Sequence, residues 1–122
     1  MYKVFVYGSL KRGFHNFPFL KSSNKVGVAT TQEPLVMTTL GSFPGVRRPI
    51  GDEVGAPVVG EIYSVDEDTL RNLDRLEGNG HFYQREVMAT DIGPAWVYLL
   101  MEPSGNNYPQ TDGKYIWHHP EF

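Results

Sequence analysis

The chain has no cysteine, which excludes a disulfide frame, a thiolate nucleophile and a cysteine-ligated zinc site, and which agrees with a reducing compartment. It also lacks concentrated positive charge. Lys and Arg number 11 against 14 Asp and Glu, a net charge of -3, and no basic run exceeds the pairs Lys11-Arg12 and Arg47-Arg48. Such a distribution holds no general attraction for a phosphate backbone or an anionic membrane, so neither nucleic acid nor a membrane is expected as a partner. Long apolar runs are missing too. The N-terminus enters a strand-like segment almost at once, and Lys3 interrupts a stretch far too short for a signal peptide or a membrane span. The expectation is a cytoplasmic protein.

What is abundant is punctuation. Among 122 residues there are 13 glycines and 9 prolines, with 40% hydrophobic and 20% charged residues, which suits one globular domain of short strands joined by many turns. Val4 to Tyr7 is a continuous β-branched and aromatic run, as expected of a strand covered on both faces. His15 to Leu20 has room for one helical turn, limited by Pro18. Lys25 to Thr31 and Pro34 to Thr39 read as strands, and Gly41 to Pro57 as a long loop carrying Arg47 and Arg48. A further strand runs from Pro57 to Val65, with Glu61 and Ile62 on opposite faces. Phe82 to Thr90 and Ala95 to Met101 form the last two strands, around a turn at Asp91 to Pro94, and an exposed loop follows Glu102. No internal repeat is present.

One helix is well signalled. Asp66 is a favoured N-cap, and Glu67 and Asp68 put negative charge at the positive end of the helix dipole. Val65 and Leu70 are spaced to pack across the cap, and Gly78 is placed to end the helix. Leu70, Leu73 and Leu76 mark its expected inward stripe. Glu77 follows Leu73 by four residues and Leu70 by seven, so a carboxylate projects from nearly that same face. Burial, the negative end of the dipole and repulsion from Asp74 would each disfavour its ionised form. A carboxylate with a pKa raised in this way is able both to take and to return a proton near neutral pH. The plain alternative is that Glu77 turns to solvent as the helix frays, or caps a backbone amide. Asp74 reads as a surface acid or a supporting partner, and Glu61 as pairing with Arg85 across a sheet.

At Gly8 to Gly13 the glycine spacing is that of a Walker phosphate loop, but Phe14 and His15 stand where Lys and Ser/Thr are required, and the nucleotide reading fails. What remains is a sharp turn at a strand end, with Gly8 free to adopt a backbone conformation closed to other residues. Its exposed amides suit a carboxylate or a developing oxyanion.

Taken together, Val4–Gly13 (VFVYGSLKRG), Gly60–Val65 (GEIYSV) and Leu70–Gly78 (LRNLDRLEG) followed by Tyr83, Gln84 and Arg85 resemble the γ-glutamylcyclotransferase-like family, in particular its γ-glutamylamine cyclotransferase branch. The three blocks agree in order and spacing from Lys3 to about Val87, and the chain after Asp91 matches more loosely. The resemblance implies an α+β fold, a small six-stranded mixed β-barrel flanked by short helices, with the substrate beside Tyr7, Gly8, Ser9 and Leu10. It implies a reaction as well. The α-amine of a γ-glutamyl amine such as γ-glutamyl-lysine attacks its own γ-carbonyl, releasing the free amine and 5-oxoproline, with no metal or organic cofactor. Glu77 matches the family's catalytic glutamate, and Tyr98 resembles a substrate-contacting tyrosine. The amides of Gly8, Ser9 and Leu10 are candidates for the α-carboxylate or the oxyanion, with the choice between them open.

Three competing readings accompany this one: the same site acting on γ-glutamyl amino acids or on a γ-glutamylated intermediate, a noncatalytic module that binds a small acid, and a metal site built on His15, His81, His118 and His119. A pure binder of an anion gains nothing from a carboxylate in its pocket. Adjacent histidines in a strand-like tail point to opposite faces, so no metal ligand set is assigned. No feature of the sequence bears on oligomeric state.

Overall fold

The computed structural model describes residues 1–8, 10–11, 17–20 and 23–117. Strand β1 (Tyr2–Val6) lies at the centre of the main sheet, antiparallel to β5 (Val58–Val65) on one side and parallel to β7 (Gly93–Leu100) on the other. Beyond β5 lies β2 (Asn24–Thr30), and beyond β7 its hairpin partner β6 (Tyr83–Thr90), joined through Asp91 and Ile92 with Thr90 opposite Gly93. Strands β3 (Val36–Thr39), β4 (Pro44–Arg47) and β8 (Asn106–Asn107) form a second, three-stranded sheet in the order β4-β3-β8. Strand β9 (Tyr115–Ile116) adds to β5 as the sixth strand of the main sheet.

The unbroken apolar run of β1 is explained by its two covered faces. Phe5 points into one cluster with Leu35, Met37, Val46, Ile62 and Trp117, whereas Val4 and Val6 point into another with Tyr63, Val65, Leu70, Leu73 and Tyr98. The helix α1 (Glu67–Glu77) contributes to that second cluster. Asp66 caps it by accepting the Thr69 N–H at 2.7 Å, Val65 and Leu70 are both buried across the cap, and Gly78 ends it in the left-handed conformation at φ 60° and ψ 49°. Burial of Leu70 and Leu73 contributes about 2 kcal/mol apiece.

Several expectations are corrected. The main sheet does not close into a barrel: its edge strands β2 and β6 meet at one corner only, through a bridge between Thr31 and Thr90 flanked by bonds between Asp91 and Thr30. A bulge between Lys25 and Gly27 shifts β2 against β5, and Val26 and Val28 stay exposed along that edge. The stretch from Gly41 to Pro57 is not all loop, because β4 lies within it. Pro44 is tolerated there since β4 pairs on one side alone, with β3. The helical turn is a single 3-10 turn at Phe17–Leu20, and His15 lies outside the described residues. No helix among the described residues is long and apolar enough to cross a membrane.

Candidate functional site

Where β1 ends, the chain turns tightly, the Lys11 N–H donating to the Gly8 carbonyl at 3.0 Å. Gly8 does not use a left-handed conformation. Its requirement is one of contact, since a Cβ there would lie 2.8 Å from Cγ and 2.9 Å from Cδ of Pro44. Leu10 anchors the turn in the core below α1. Lys11 is buried and its ammonium donates to the Trp117 carbonyl, while burial pulls its pKa down.

This turn forms one wall of a cavity of about 280 Å³. Tyr7, Gly8, Leu10, Glu77 and Tyr98 all line it; Ser9 lies outside the described residues. The unexpected strand β4 supplies Pro44 to a second wall that Ser42 and Phe43, just before it, complete, and β6 supplies Tyr83. Sequence reasoning missed these residues. Tyr83 stood within a recognised block, but its part in the wall depends on Pro44, whose carbonyl accepts the Tyr83 hydroxyl at 2.7 Å across 39 positions. At the mouth stand Leu76, Phe43 and Phe82, 37%, 38% and 41% exposed, with the two phenyl rings edge to face. Leu76 is thus a rim residue and not part of the buried stripe.

Glu77 is half-buried and has no ion pair or hydrogen bond among the described residues. Burial alone pushes its carboxyl up to about 7. The expected repulsion from Asp74 plays no part, because that acid is otherwise engaged: it accepts the Tyr98 hydroxyl at 2.6 Å and pairs with Arg85 at 2.8 Å. Arg85 consequently does not pair with Glu61, which instead meets Lys25 at 3.4 Å and the Tyr63 hydroxyl at 3.1 Å. The Tyr7, Tyr83 and Tyr98 phenols are all held protonated, chiefly by burial, and the Glu77 charge adds to the shift of each. Among the described residues lining the cavity Glu77 is the one charged group. No three acidic or histidine side chains among the described residues gather to hold a metal ion, and His15, His118 and His119 lie outside them.

Fold and cavity together define an α+β protein with a cavity organised around a single carboxylate that is unpaired among the described residues. Residues 4–118 match the family described as gamma-glutamyl cyclotransferase, AIG2-like, and the chain belongs to that family. A Methanocaldococcus jannaschii protein is 40% identical over 108 residues, covering 84% of this chain and 87% of its own. The gamma-glutamylcyclotransferase family protein YtfP of Escherichia coli K12 is 32% identical over 101 residues, with 83% and 84% covered. Among solved structures, an AIG2-like protein from Mus musculus superposes with a TM-score of 0.69 at 29% identity, over 89% of this chain and 88% of that one. A Pyrococcus horikoshii protein at 22% identity shares the fold, with a TM-score of 0.72 over 88% of this chain and 86% of its own.

Proposed function

We propose that the protein is a cyclotransferase acting on γ-glutamyl amines, releasing the free amine and 5-oxoproline. The observation that carries this reading is Glu77, a carboxylate unpaired among the described residues and poised near pH 7 in a cavity lined by Tyr7, Gly8 and Leu10. The α-nitrogen of such a substrate arrives as an ammonium and is not nucleophilic. Glu77 takes one of its protons; the freed amine attacks the γ-carbonyl carbon, forming the ring C–N bond and placing the carbonyl electron pair on oxygen. Collapse of that oxyanion breaks the bond to the leaving nitrogen, which takes the proton held by Glu77. A second proton then passes from the ring nitrogen by the same carboxylate. Two protons thus move from the α-nitrogen to the leaving amine, and no water is consumed. One carboxylate with a pKa near neutrality serves both directions.

Ring closure is intramolecular, so most of the barrier is lowered by folding the substrate into contact geometry and by donors at the oxyanion. The amides of Gly8, Ser9 and Leu10 fill those roles for the carbonyl oxygen and the α-carboxylate. The apolar mouth formed by Phe43, Leu76 and Phe82 supports an amine as leaving group, because the α-carboxylate of an amino acid would be desolvated there close to Glu77.

The test is an assay for 5-oxoproline with γ-glutamyl-lysine linked through its side-chain nitrogen, γ-glutamyl-alanine and glutathione. Turnover of the first is expected to exceed that of the others. Preference for γ-glutamyl-alanine would transfer the assignment to γ-glutamyl amino acids, and absence of 5-oxoproline from all three would refute the reaction.

A further inference from the structure

The three phenols of the cavity have each committed their proton to the protein. Tyr7 donates to the Tyr98 carbonyl at 2.8 Å, Tyr83 to the Pro44 carbonyl at 2.7 Å, and Tyr98 to Asp74 Oδ1 at 2.6 Å. A phenol owns one proton and two lone pairs, so what each has left for a ligand is an acceptor. Two of these commitments are made to backbone carbonyls. The third is made to a side chain that is itself fixed from several directions. Arg85 reaches Asp74 with Nε at 2.8 Å and Nη2 at 3.3 Å, its guanidinium lies 4.3 Å from the centre of the Trp96 ring, and its backbone N–H is held by Asn79 Oδ1 at 2.9 Å. An ion pair that only joined α1 to β6 would have no need of the Tyr98 hydroxyl. Here the phenol is the third party.

We propose that Asp74 is a positioning residue for an ammonium group. By taking the Tyr98 proton it leaves that phenol only lone pairs to turn toward the cavity, and these accept a hydrogen bond from the α-ammonium of the substrate beside Glu77. The proposal rests on the γ-glutamyl reading above. Its chemistry is specific to the carboxylate. An amide at position 74 has N–H groups to offer the phenol oxygen, and the phenol would then turn its own proton into the cavity, where an ammonium needs an acceptor.

The experiment is calorimetric binding of L-glutamine and of glutaramic acid, which is glutamine without its α-amine, to the full chain carrying Glu77→Gln so that nothing is turned over. Glutamine is expected to bind about ten-fold more tightly, the usual order for a hydrogen bond to a charged group. Adding Asp74→Asn is expected to reduce that ratio to about two or less, as is adding Tyr98→Phe, and the two together to reduce it no further than either alone. A ratio still near ten with Asp74→Asn overturns the proposal, whatever the melting temperature does. Should the Asp74→Asn protein not fold, Tyr98→Phe decides: retention of the ratio there overturns it equally. Failure of both ligands to bind overturns it together with the γ-glutamyl reading. An unchanged ratio in a protein whose parent releases 5-oxoproline overturns this inference alone.

Discussion

The molecule handles its acids in opposite ways in two places. Along the groove bordered by Arg47, Arg48 and Glu86, charge is neutralised by contact. Arg47 grips Glu53 with two bonds of 2.6 and 2.8 Å, and Arg48 bridges Glu33 at 2.6 Å and Glu86 at 2.8 Å. Hydrogen bonding to Arg47 pulls the Glu53 carboxyl down to about 2. In the cavity Glu77 has no such partner among the described residues, and burial pushes it up to about 7. The first group holds its charge at any physiological pH and acts as structure. The second stands where the gain or loss of a proton costs almost nothing, which is the condition for exchanging one with a ligand. Asp74 shows that this is a matter of partners and not of place: one turn from Glu77 on the same helix, it belongs with the neutralised set.

The contrast is broken most completely by Glu77→Gln. A drop in kcat/KM for 5-oxoproline release of about 10³-fold is expected, with circular dichroism unchanged; full activity in the folded variant would sink the assignment. The same variant tests the pKa. Because the folded carboxyl titrates above its unfolded value of 4.5, the folded state holds the proton more tightly, and stability present at low pH is lost as pH rises through about 7. Glu77→Gln removes that loss. It should raise stability at pH 8 by up to about 3 kcal/mol and leave it little changed at pH 4, as read from urea unfolding at the two values. The wild-type rate should rise with pH through the same region, since the resting base must be ionised.

Smaller effects sharpen the comparison. Leu76→Arg puts a cation at the rim beside Glu77, giving it the kind of partner that Glu53 has. The acidic limb of the pH–rate profile should move down by about one unit, and the rate at neutrality should fall as the base weakens. At the other extreme, Arg48→Ala removes both bridges of a solvent-exposed residue. A stability change of about 1 kcal/mol or less, with kcat/KM unaltered, is the expected outcome in thermal melts and the 5-oxoproline assay.

The parts of this arrangement that are local in the chain were legible before the structure. The cap at Asp66, the stop at Gly78, the doubly covered β1 and the meeting of Tyr7, Gly8, Leu10 and Glu77 at one cavity follow from spacing and from three short blocks, whereas Tyr98 lies in the stretch that matches more loosely. What could not be read depends on contacts between distant segments. Strand β4 was hidden because Pro44 and Gly45 are loop residues by composition, and only an edge position beside β3, with Gly45 pressed against Leu100, makes them a strand. With β4 went its share of the cavity wall, including the hold of Pro44 on Tyr83. Closure of the sheet was equally unreadable, since strand count says nothing of whether β2 and β6 meet. Leu76 was assigned to the core by its spacing, but it stands where the core gives way to the cavity mouth. The raised pKa of Glu77 follows in direction from its place on the helix, with burial as its cause, whereas the repulsion expected from Asp74 is taken up by Arg85 and Tyr98.

The helix between Asp66 and Gly78 has 11 residues, with both ends fixed by their caps. Each residue turns the helix by about 100°, so a single insertion or deletion between Leu73 and Glu77 would carry the carboxylate a quarter-turn or more around the axis while the leucines stayed seated. The angular phase of one side chain is therefore set by counting, and a chain altered in that count by one would keep its core and its cavity and lose the group that gives the cavity its proton chemistry.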